Sequence, residues 1–200
     1  MQPAKPDYVG DVEHDVPNLN IANVLTFVRL LLVPIFAFLL PDSLADTTTR
    51  WVVTAIFVVG VITDLVDGYL ARRLQLITTV GKIADPIADK LLIGTALIAL
   101  SLEGSLSWWF TVLILTREIG ITLLRFKVIN RGVIPASRGG KAKTISQMVA
   151  IIALLAPLTG WVDVVAVIAI WVALILTIVT GIDYVVRAYR LPKVQSSGQA

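Results

Sequence analysis

The sequence contains no cysteine and only one histidine, His14, among its 200 residues. Without cysteine the chain has no disulfide, no thiol nucleophile and no cysteine–metal site. A single histidine in the polar N-terminal segment excludes histidine catalysis and a zinc site built from several histidines. Chemistry in this protein must therefore rest on carboxylates, amides, hydroxyls and basic side chains.

Charged residues are also scarce. They make up 16% of the chain, whereas 56% of it is hydrophobic; a typical soluble domain carries about 25% charged residues. The mean hydropathy of +0.84 is typical of an all-α protein with several transmembrane helices. We predict one membrane domain, residues 16–190, between polar tails at 1–15 and 191–200. Its six predicted spans are residues 24–40, 51–71, 82–102, 107–127, 144–160 and 162–187.

The distribution of Lys and Arg predicts the orientation in the membrane. The connections after spans two and four, and the segment after span six, are rich in these residues. The loops on the opposite side, near 41–50, 103–106 and 160–163, contain Arg50 and no other Lys or Arg. Because positive residues favour the cytoplasmic side, we expect both termini there. The same argument explains the net charge of +3 without a nucleic-acid partner.

Four aspartates stand in the apolar second and third spans. A carboxylate inside a membrane segment is costly and usually marks a functional site. Two helical stripes carry them, Asp64, Asp67, Gly68 and Ala71 on one and Gly81, Asp85 and Asp89 on the other. Both stripes lie at a similar distance from the turn between the spans. A tight helical hairpin would therefore bring the four carboxylates to one cavity near the cytoplasmic side.

Such a cluster suits hard divalent cations such as Mg²⁺ or Mn²⁺, which prefer carboxylate oxygens. Gly68 and Gly81 would let a substrate approach the backbone closely, and Arg72 would hold a phosphate. Two other interpretations stay open on spacing alone. The aspartates could form structural ion pairs with Lys90, Arg117 or Arg72, or they could line a proton or cation pathway.

The spacing resembles the signature of the CDP-alcohol phosphotransferases, D-x2-D-G-x2-A-R-x8-G-x3-D-x3-D. Every specified position is filled between Asp64 and Asp89. The resemblance implies a six-helix membrane fold, a homodimer, and a site where two Mg²⁺ or Mn²⁺ ions hold the pyrophosphate of a CDP-linked substrate. It also implies that Asp64, Asp67 and Asp85 are the main metal ligands. Asp89 would contact metal as well and act as the general base.

Other residues resemble the family members that transfer the phosphatidyl group of CDP-diacylglycerol to glycerol 3-phosphate in phospholipid biosynthesis. These matches are Asn23, Thr26, Arg29, Pro34, Lys90, Arg117, Glu118, Gly140, Lys143, Thr144 and Gln147. The implied CDP-lipid-binding residues are Gly68, Ala71, Arg72, Gly81, Thr26 and Asn23. The active site is then expected at the cytoplasmic face of a bacterial membrane. Inositol phosphate or phosphatidylglycerol remains possible as the acceptor, and a carboxylate-based cation or proton transporter is the alternative from another class.

The acceptor glycerol 3-phosphate is a small dianion, so its site needs cations that the nucleotide does not use. The candidates are Arg117, Arg125, Lys141, Lys143 and Arg187. Arg117 is the most informative because it lies near mid-span, although a structural salt bridge would explain it equally well. Glu118 is not expected to share its face, since adjacent helix residues point ~100° apart. Residues 137–143 are expected to wrap a phosphate or to touch anionic lipid.

Overall fold

The computed structural model describes residues 20–41, 46–74, 78–128 and 138–190. Within these ranges the chain forms six α-helices and no β-strand, which confirms the all-α prediction. The helices are α1 (Ile21–Leu39), α2 (Thr47–Arg73), α3 (Thr79–Leu102), α4 (Trp108–Val128), α5 (Arg138–Leu155) and α6 (Trp161–Arg190). The predicted tails at 1–15 and 191–200 lie outside the described residues.

The fifth helix differs from its predicted position, whereas the other five begin and end within a few residues of it. We predicted a span at 144–160, but α5 runs over Arg138–Leu155. Its first turns contain Gly139 and Gly140, which belong to the segment expected to wrap a phosphate or to touch anionic lipid. Pro157 was predicted inside the span, yet it lies in the bend that follows α5. The proline ring cannot continue a helix, so α5 stops just before it.

Polar caps mark the beginnings of α1 and α2. The Asn20 side chain accepts a hydrogen bond from the backbone N–H of Asn23 at 3.1 Å. Asp46 accepts hydrogen bonds from both the hydroxyl and the backbone N–H of Thr49, each at 2.7 Å. These two bonds hold the pKa of Asp46 below its usual value, and the bond from the Thr49 hydroxyl has the larger effect. Capping of orphan N–H groups therefore accounts for both polar residues.

One apolar core joins the helices. α1 packs against α2 and α3, α5 runs along α6, and α4 lies on α6. The rings of Phe36 and Phe57, both fully buried, have centroids 5.9 Å apart. Gly60 brings α2 close to α3, because an added Cβ there would lie 2.7 Å from Leu92 Cδ2. α2 and α3 approach each other closely at Gly60, while α1 packs against both of them. The facing of the two aspartate stripes stays a prediction.

The outer faces of the helices are strongly apolar. Large hydrophobic side chains are exposed along the bundle, among them Leu31, Phe38, Leu102, Trp161 and Ile182. Soluble proteins rarely expose such extended apolar surface, whereas a lipid-facing surface requires it. Within the described residues, α2 (over Thr47–Leu70) and α6 are long and apolar enough to cross a membrane, and Asn23–Leu39 is a shorter apolar helix. Crossing by all six helices stays a prediction, because α3, α4 and α5 carry ionisable residues that lower their hydropathy.

Arg50, the one basic residue predicted on the outer side, caps a neighbouring helix. Its Nε and Nη2 donate hydrogen bonds to the carbonyls of Leu155 and Leu154, both at 2.9 Å. These carbonyls belong to the last turn of α5, where backbone acceptors have no partner within the helix. The guanidinium also complements the negative end of the helix dipole. Arg50 thus ties the start of α2 to the end of α5.

Arg50→Met is expected to destabilise the protein by about 2 kcal/mol, because two charge-assisted hydrogen bonds to buried carbonyls are lost. Thermal unfolding of the detergent-solubilised protein, followed by circular dichroism, would show a lower Tm. Arg190→Met, at the exposed end of α6, is the control and should leave Tm nearly unchanged. Equal shifts in the two variants would contradict the capping role.

Candidate active site

The signature aspartates lie at matching depths on α2 and α3. Asp64 lies about 14 Å before the end of α2, and Asp89 about 15 Å after the start of α3, at 1.5 Å per residue. The Asp89 carboxylate is within electrostatic range of Asp64 and Arg29. Asp67 is almost fully buried one turn beyond Asp64. Asp85 belongs to α3, but its side chain is outside the described part of the structure.

A buried arginine of α1 binds two of these aspartates. Arg29 is fully buried, and its Nη1 donates to Asp64 Oδ1 at 2.5 Å. Its Nη2 donates to Asp67 Oδ2. We had noted Arg29 only as part of the resemblance and had considered other bases as ion-pair partners. The available signal was its isolation, because Arg29 is the only charged residue of α1, and such a residue in an apolar helix marks a site.

Two further polar residues of α1 extend the stripe that faces the signature helices. Thr26 Oγ1 lies 3.4 Å from Asp67 Oδ2, a long hydrogen bond. Asn23 Nδ2 donates to the hydroxyl of Thr78, just before α3, at 2.7 Å. Both side chains are almost fully buried. Of the six residues predicted to bind the CDP-lipid, Thr26 thus contacts a signature aspartate, and Asn23 contacts Thr78. CDP binding itself stays a prediction.

A second charged cluster joins α4, α5 and α6. The Glu118 carboxylate accepts hydrogen bonds from Lys143 and, at 2.9 Å, from Arg117 Nη1. Arg117 Nη2 donates to the hydroxyl of Thr180 at 2.9 Å. Gly181 makes room for this side chain, since an added Cβ there would lie 3.3 Å from Arg117 Cγ. We expected that Glu118 does not share a face with Arg117; their two long side chains nevertheless meet at their tips.

A cavity of about 260 Å³ lies between Asp89 and the Glu118–Lys143 cluster. Residues from three helices line it: Asp89, Lys90, Leu91, Ile93 and Gly94 of α3, Leu115, Glu118 and Ile119 of α4, and Lys143, Thr144 and Gln147 of α5. Lys143 and Gln147 are almost completely buried. The predicted general base and one predicted acceptor-binding lysine therefore face the same cavity.

The remaining predicted residues are more scattered. Lys141 is exposed on α5. Arg187 donates to Asp183 at 2.9 Å in an exposed pair on α6, and neither residue lines the cavity. Gly68 is half-buried on α2. The surroundings of Gly81 and the side chains of Ala71, Arg72 and Arg125 are outside the described part of the structure. Of the five acceptor candidates, the structure thus brings Arg117 and Lys143 together, through Glu118.

A model of the CDP-alcohol phosphatidyltransferase family matches residues 19–179 of the chain. The protein is a CDP-alcohol phosphatidyltransferase family member. A probable phosphatidylglycerophosphate synthase of Mycobacterium tuberculosis is 53% identical over 172 residues, which cover 86% of this chain and 82% of that protein. The CDP-diacylglycerol–glycerol-3-phosphate 3-phosphatidyltransferases of Rickettsia felis and Bacillus subtilis are 40% and 35% identical, and each match covers 82% of this chain and 93% of the relative.

The donor chemistry at the aspartates of this phosphatidyltransferase family member fits a divalent cation. The groups are carboxylate oxygens, the donors that Mg²⁺ and Mn²⁺ prefer. Asp64 and Asp67 both bind the guanidinium of Arg29 and so lie close together. Within the described residues no group of three His, Cys, Asp or Glu side chains lies close enough to hold an ion. The fourth signature carboxylate, Asp85, is not among the described side chains, and metal binding stays a prediction.

Arg29→Gln is expected to destabilise the protein by about 3–5 kcal/mol, because two carboxylates lose their buried counter-charge. Adding Asp67→Asn to this variant neutralises one of the two carboxylates that lost the guanidinium and should restore part of the lost stability. Thermal unfolding of the detergent-solubilised single and double variants would measure both effects. A double variant less stable than Arg29→Gln alone would show that Asp67 does not need the guanidinium.

Because Glu118 binds both Lys143 and Arg117, we expect its loss to destabilise the protein more than the loss of Lys143. Glu118→Gln leaves both Lys143 and Arg117 without their carboxylate and should cost about 3–5 kcal/mol. Lys143→Met should cost less, about 1–3 kcal/mol, because Glu118 keeps Arg117 as its partner. The same unfolding measurement ranks the two variants, and the reverse order would contradict the bridging geometry.

Proposed function

We propose that this protein transfers the phosphatidyl group of CDP-diacylglycerol to glycerol 3-phosphate. The products are phosphatidylglycerol phosphate and CMP. The reaction would be a step of phospholipid biosynthesis. The observation that carries the proposal is the cavity shared by Asp89 and Lys143. Its lining includes Asp89, the last signature aspartate, and the cationic Lys143. The names of the relatives support the same reaction.

In the proposed reaction the donor binds at the aspartates, with its acyl chains remaining in the lipid. Two Mg²⁺ or Mn²⁺ ions held by Asp64, Asp67, Asp85 and Asp89 would neutralise the charge of the pyrophosphate. Asn23, Thr26, Gly68, Ala71, Arg72 and Gly81 would contact the CDP-lipid. Arg29 stays outside the reaction and holds the carboxylates of Asp64 and Asp67 in place.

The acceptor binds in the cavity, with its phosphate at Lys143. Asp89 takes the proton from the attacking hydroxyl. The acceptor oxygen then forms a bond to the phosphorus that carries the diacylglycerol, while the bond from that phosphorus to the bridging oxygen breaks and CMP leaves. A volume of about 260 Å³ suits a small acceptor, because pockets for drug-sized ligands are roughly 300–1,000 Å³. Arg117 contributes through Glu118, while Arg125, Lys141 and Arg187 would attract the phosphate from the cytoplasm.

The proposal also includes the arrangement in the membrane. All six helices would cross the bilayer, with both termini and the active site facing the cytoplasm, and two copies would form a homodimer. Basic residues at the ends of α2, α4 and α6 support this orientation. The acceptor then arrives from water and the donor from the inner leaflet. The bacterial origin of the relatives supports a bacterial cytoplasmic membrane as the location.

Transfer of radiolabelled glycerol 3-phosphate to CDP-diacylglycerol, in detergent micelles, tests the reaction. Asp89→Asn is expected to lower kcat by about 10²–10⁴-fold, the usual contribution of a general base. Asp64→Ala and EDTA should each abolish product formation, and Mg²⁺ or Mn²⁺ should reverse the effect of EDTA. Asp163→Asn, at the start of α6, is the control and should keep wild-type activity. Full activity in Asp89→Asn and Asp64→Ala would reject the assignment.

A panel of acceptors separates the alternatives. Inositol phosphate or phosphatidylglycerol as the preferred acceptor would keep the donor chemistry and replace the acceptor. A cation or proton transporter would release no CMP from CDP-diacylglycerol in detergent, where no gradient exists. Product masses identify the lipid in each reaction.

A further inference from the structure

The deep end of the cavity holds a buried amide whose donor is unused. The Gln147 side chain is 1% exposed, and its Nε2 has no hydrogen-bond partner among the described residues. A buried donor without a partner is costly and rare in native proteins. Gln147 also lines the cavity that contains Asp89 and Lys143. The amide is therefore suited to a ligand that brings its own acceptor atom.

The position of Gln147 along α5 fits the shape of the acceptor. Gln147 lies one turn beyond Lys143 on the same helix face, about 6 Å along the axis. It lies about 14 Å from the start of α5, and Asp89 about 15 Å from the start of α3, so both are at a similar depth. Lys143 is nearer the basic, cytoplasmic end. A three-carbon phosphate that places its phosphate at Lys143 would thus reach Asp89 and Gln147 with its hydroxyls.

Lys143 can serve both Glu118 and a phosphate, because an ammonium group carries three donors and Glu118 uses one of them. Thr144, half-buried beside Lys143, adds a hydroxyl to the same wall but donates it to the Gly140 carbonyl at 3.2 Å. Gln147 lies on the same wall, and its buried Nε2 has no hydrogen-bond partner among the described residues. The proposed reaction as stated so far gives this donor no role.

We propose that Gln147 determines acceptor specificity by donating a hydrogen bond from Nε2 to the central hydroxyl of glycerol 3-phosphate. This inference rests on the proposed function. The bond would discriminate against acceptors without that hydroxyl, because they leave the buried amide unpaired. It would also orient the neighbouring primary hydroxyl towards Asp89.

The test compares two acceptors, glycerol 3-phosphate and 3-hydroxypropyl phosphate, which lacks the central hydroxyl. Wild type, Gln147→Met and Thr177→Val are assayed with CDP-diacylglycerol. Gln147→Met keeps the volume and should lower kcat/KM for glycerol 3-phosphate by about 10- to 100-fold, the loss expected for one hydrogen bond from a buried donor. Its kcat/KM for the deoxy acceptor should change less than about threefold, so the preference collapses. Its Tm should not fall, since no internal hydrogen bond is lost.

Thr177→Val is the matched control. Thr177 is also fully buried, and its Oγ1 likewise has no partner among the described residues, but it lies on α6 away from the cavity. Its acceptor preference should equal that of wild type. Three results for Gln147→Met would each overturn this inference and leave the proposed function intact. They are a wild-type acceptor preference, an equal loss of kcat/KM with both acceptors, and a lower Tm. A wild-type protein inactive with glycerol 3-phosphate would overturn the proposed function and this inference together.

Discussion

A carboxylate buried in an apolar protein must have a counter-charge within reach, and the arrangement of this bundle depends on that constraint. Two of the ion-pair contacts join different helices: Arg29 of α1 binds the aspartates of α2, and Lys143 of α5 binds Glu118 of α4. Apolar packing between helices in lipid is tolerant of rotation and sliding, since the tails are as apolar as the side chains. The charge pairs therefore specify which helix faces meet, while the Phe36, Phe57 and Leu92 contacts supply the tight fit.

The sequence predicted well what depends on neighbours within one helix. Spacing of Asp64 and Asp67 revealed a stripe, and apolar runs revealed most helix ends. It failed where partners are distant: Arg29 finds Asp64 35 positions away, and periodicity within α1 contains no information on that contact. α5 was misplaced for a related reason, because Gly139 and the basic residues around it indicate a loop locally, whereas packing along α6 makes this segment helical. The roles assigned to the site residues remain predictions.

Chemistry and membrane insertion make opposite demands on the same helices. The cavity is walled by α3, α4 and α5, whose ionisable residues reduce their hydropathy, while α2 and α6 retain long apolar stretches. α6 packs along both α4 and α5. A very apolar helix thus lies beside two that carry the polar groups. α2 meets both demands, because its apolar stretch over Thr47–Leu70 also contains Asp64 and Asp67.

The pairing of one guanidinium with two aspartates has an evolutionary consequence. Loss of Arg29 takes one guanidinium from two carboxylates at once, and neutralising either aspartate to relieve this would remove a member of the signature. The sequence of α1 is thus coupled to that of α2 through a single side chain. We expect substitutions at Arg29 to be tolerated only together with changes at Asp64 and Asp67.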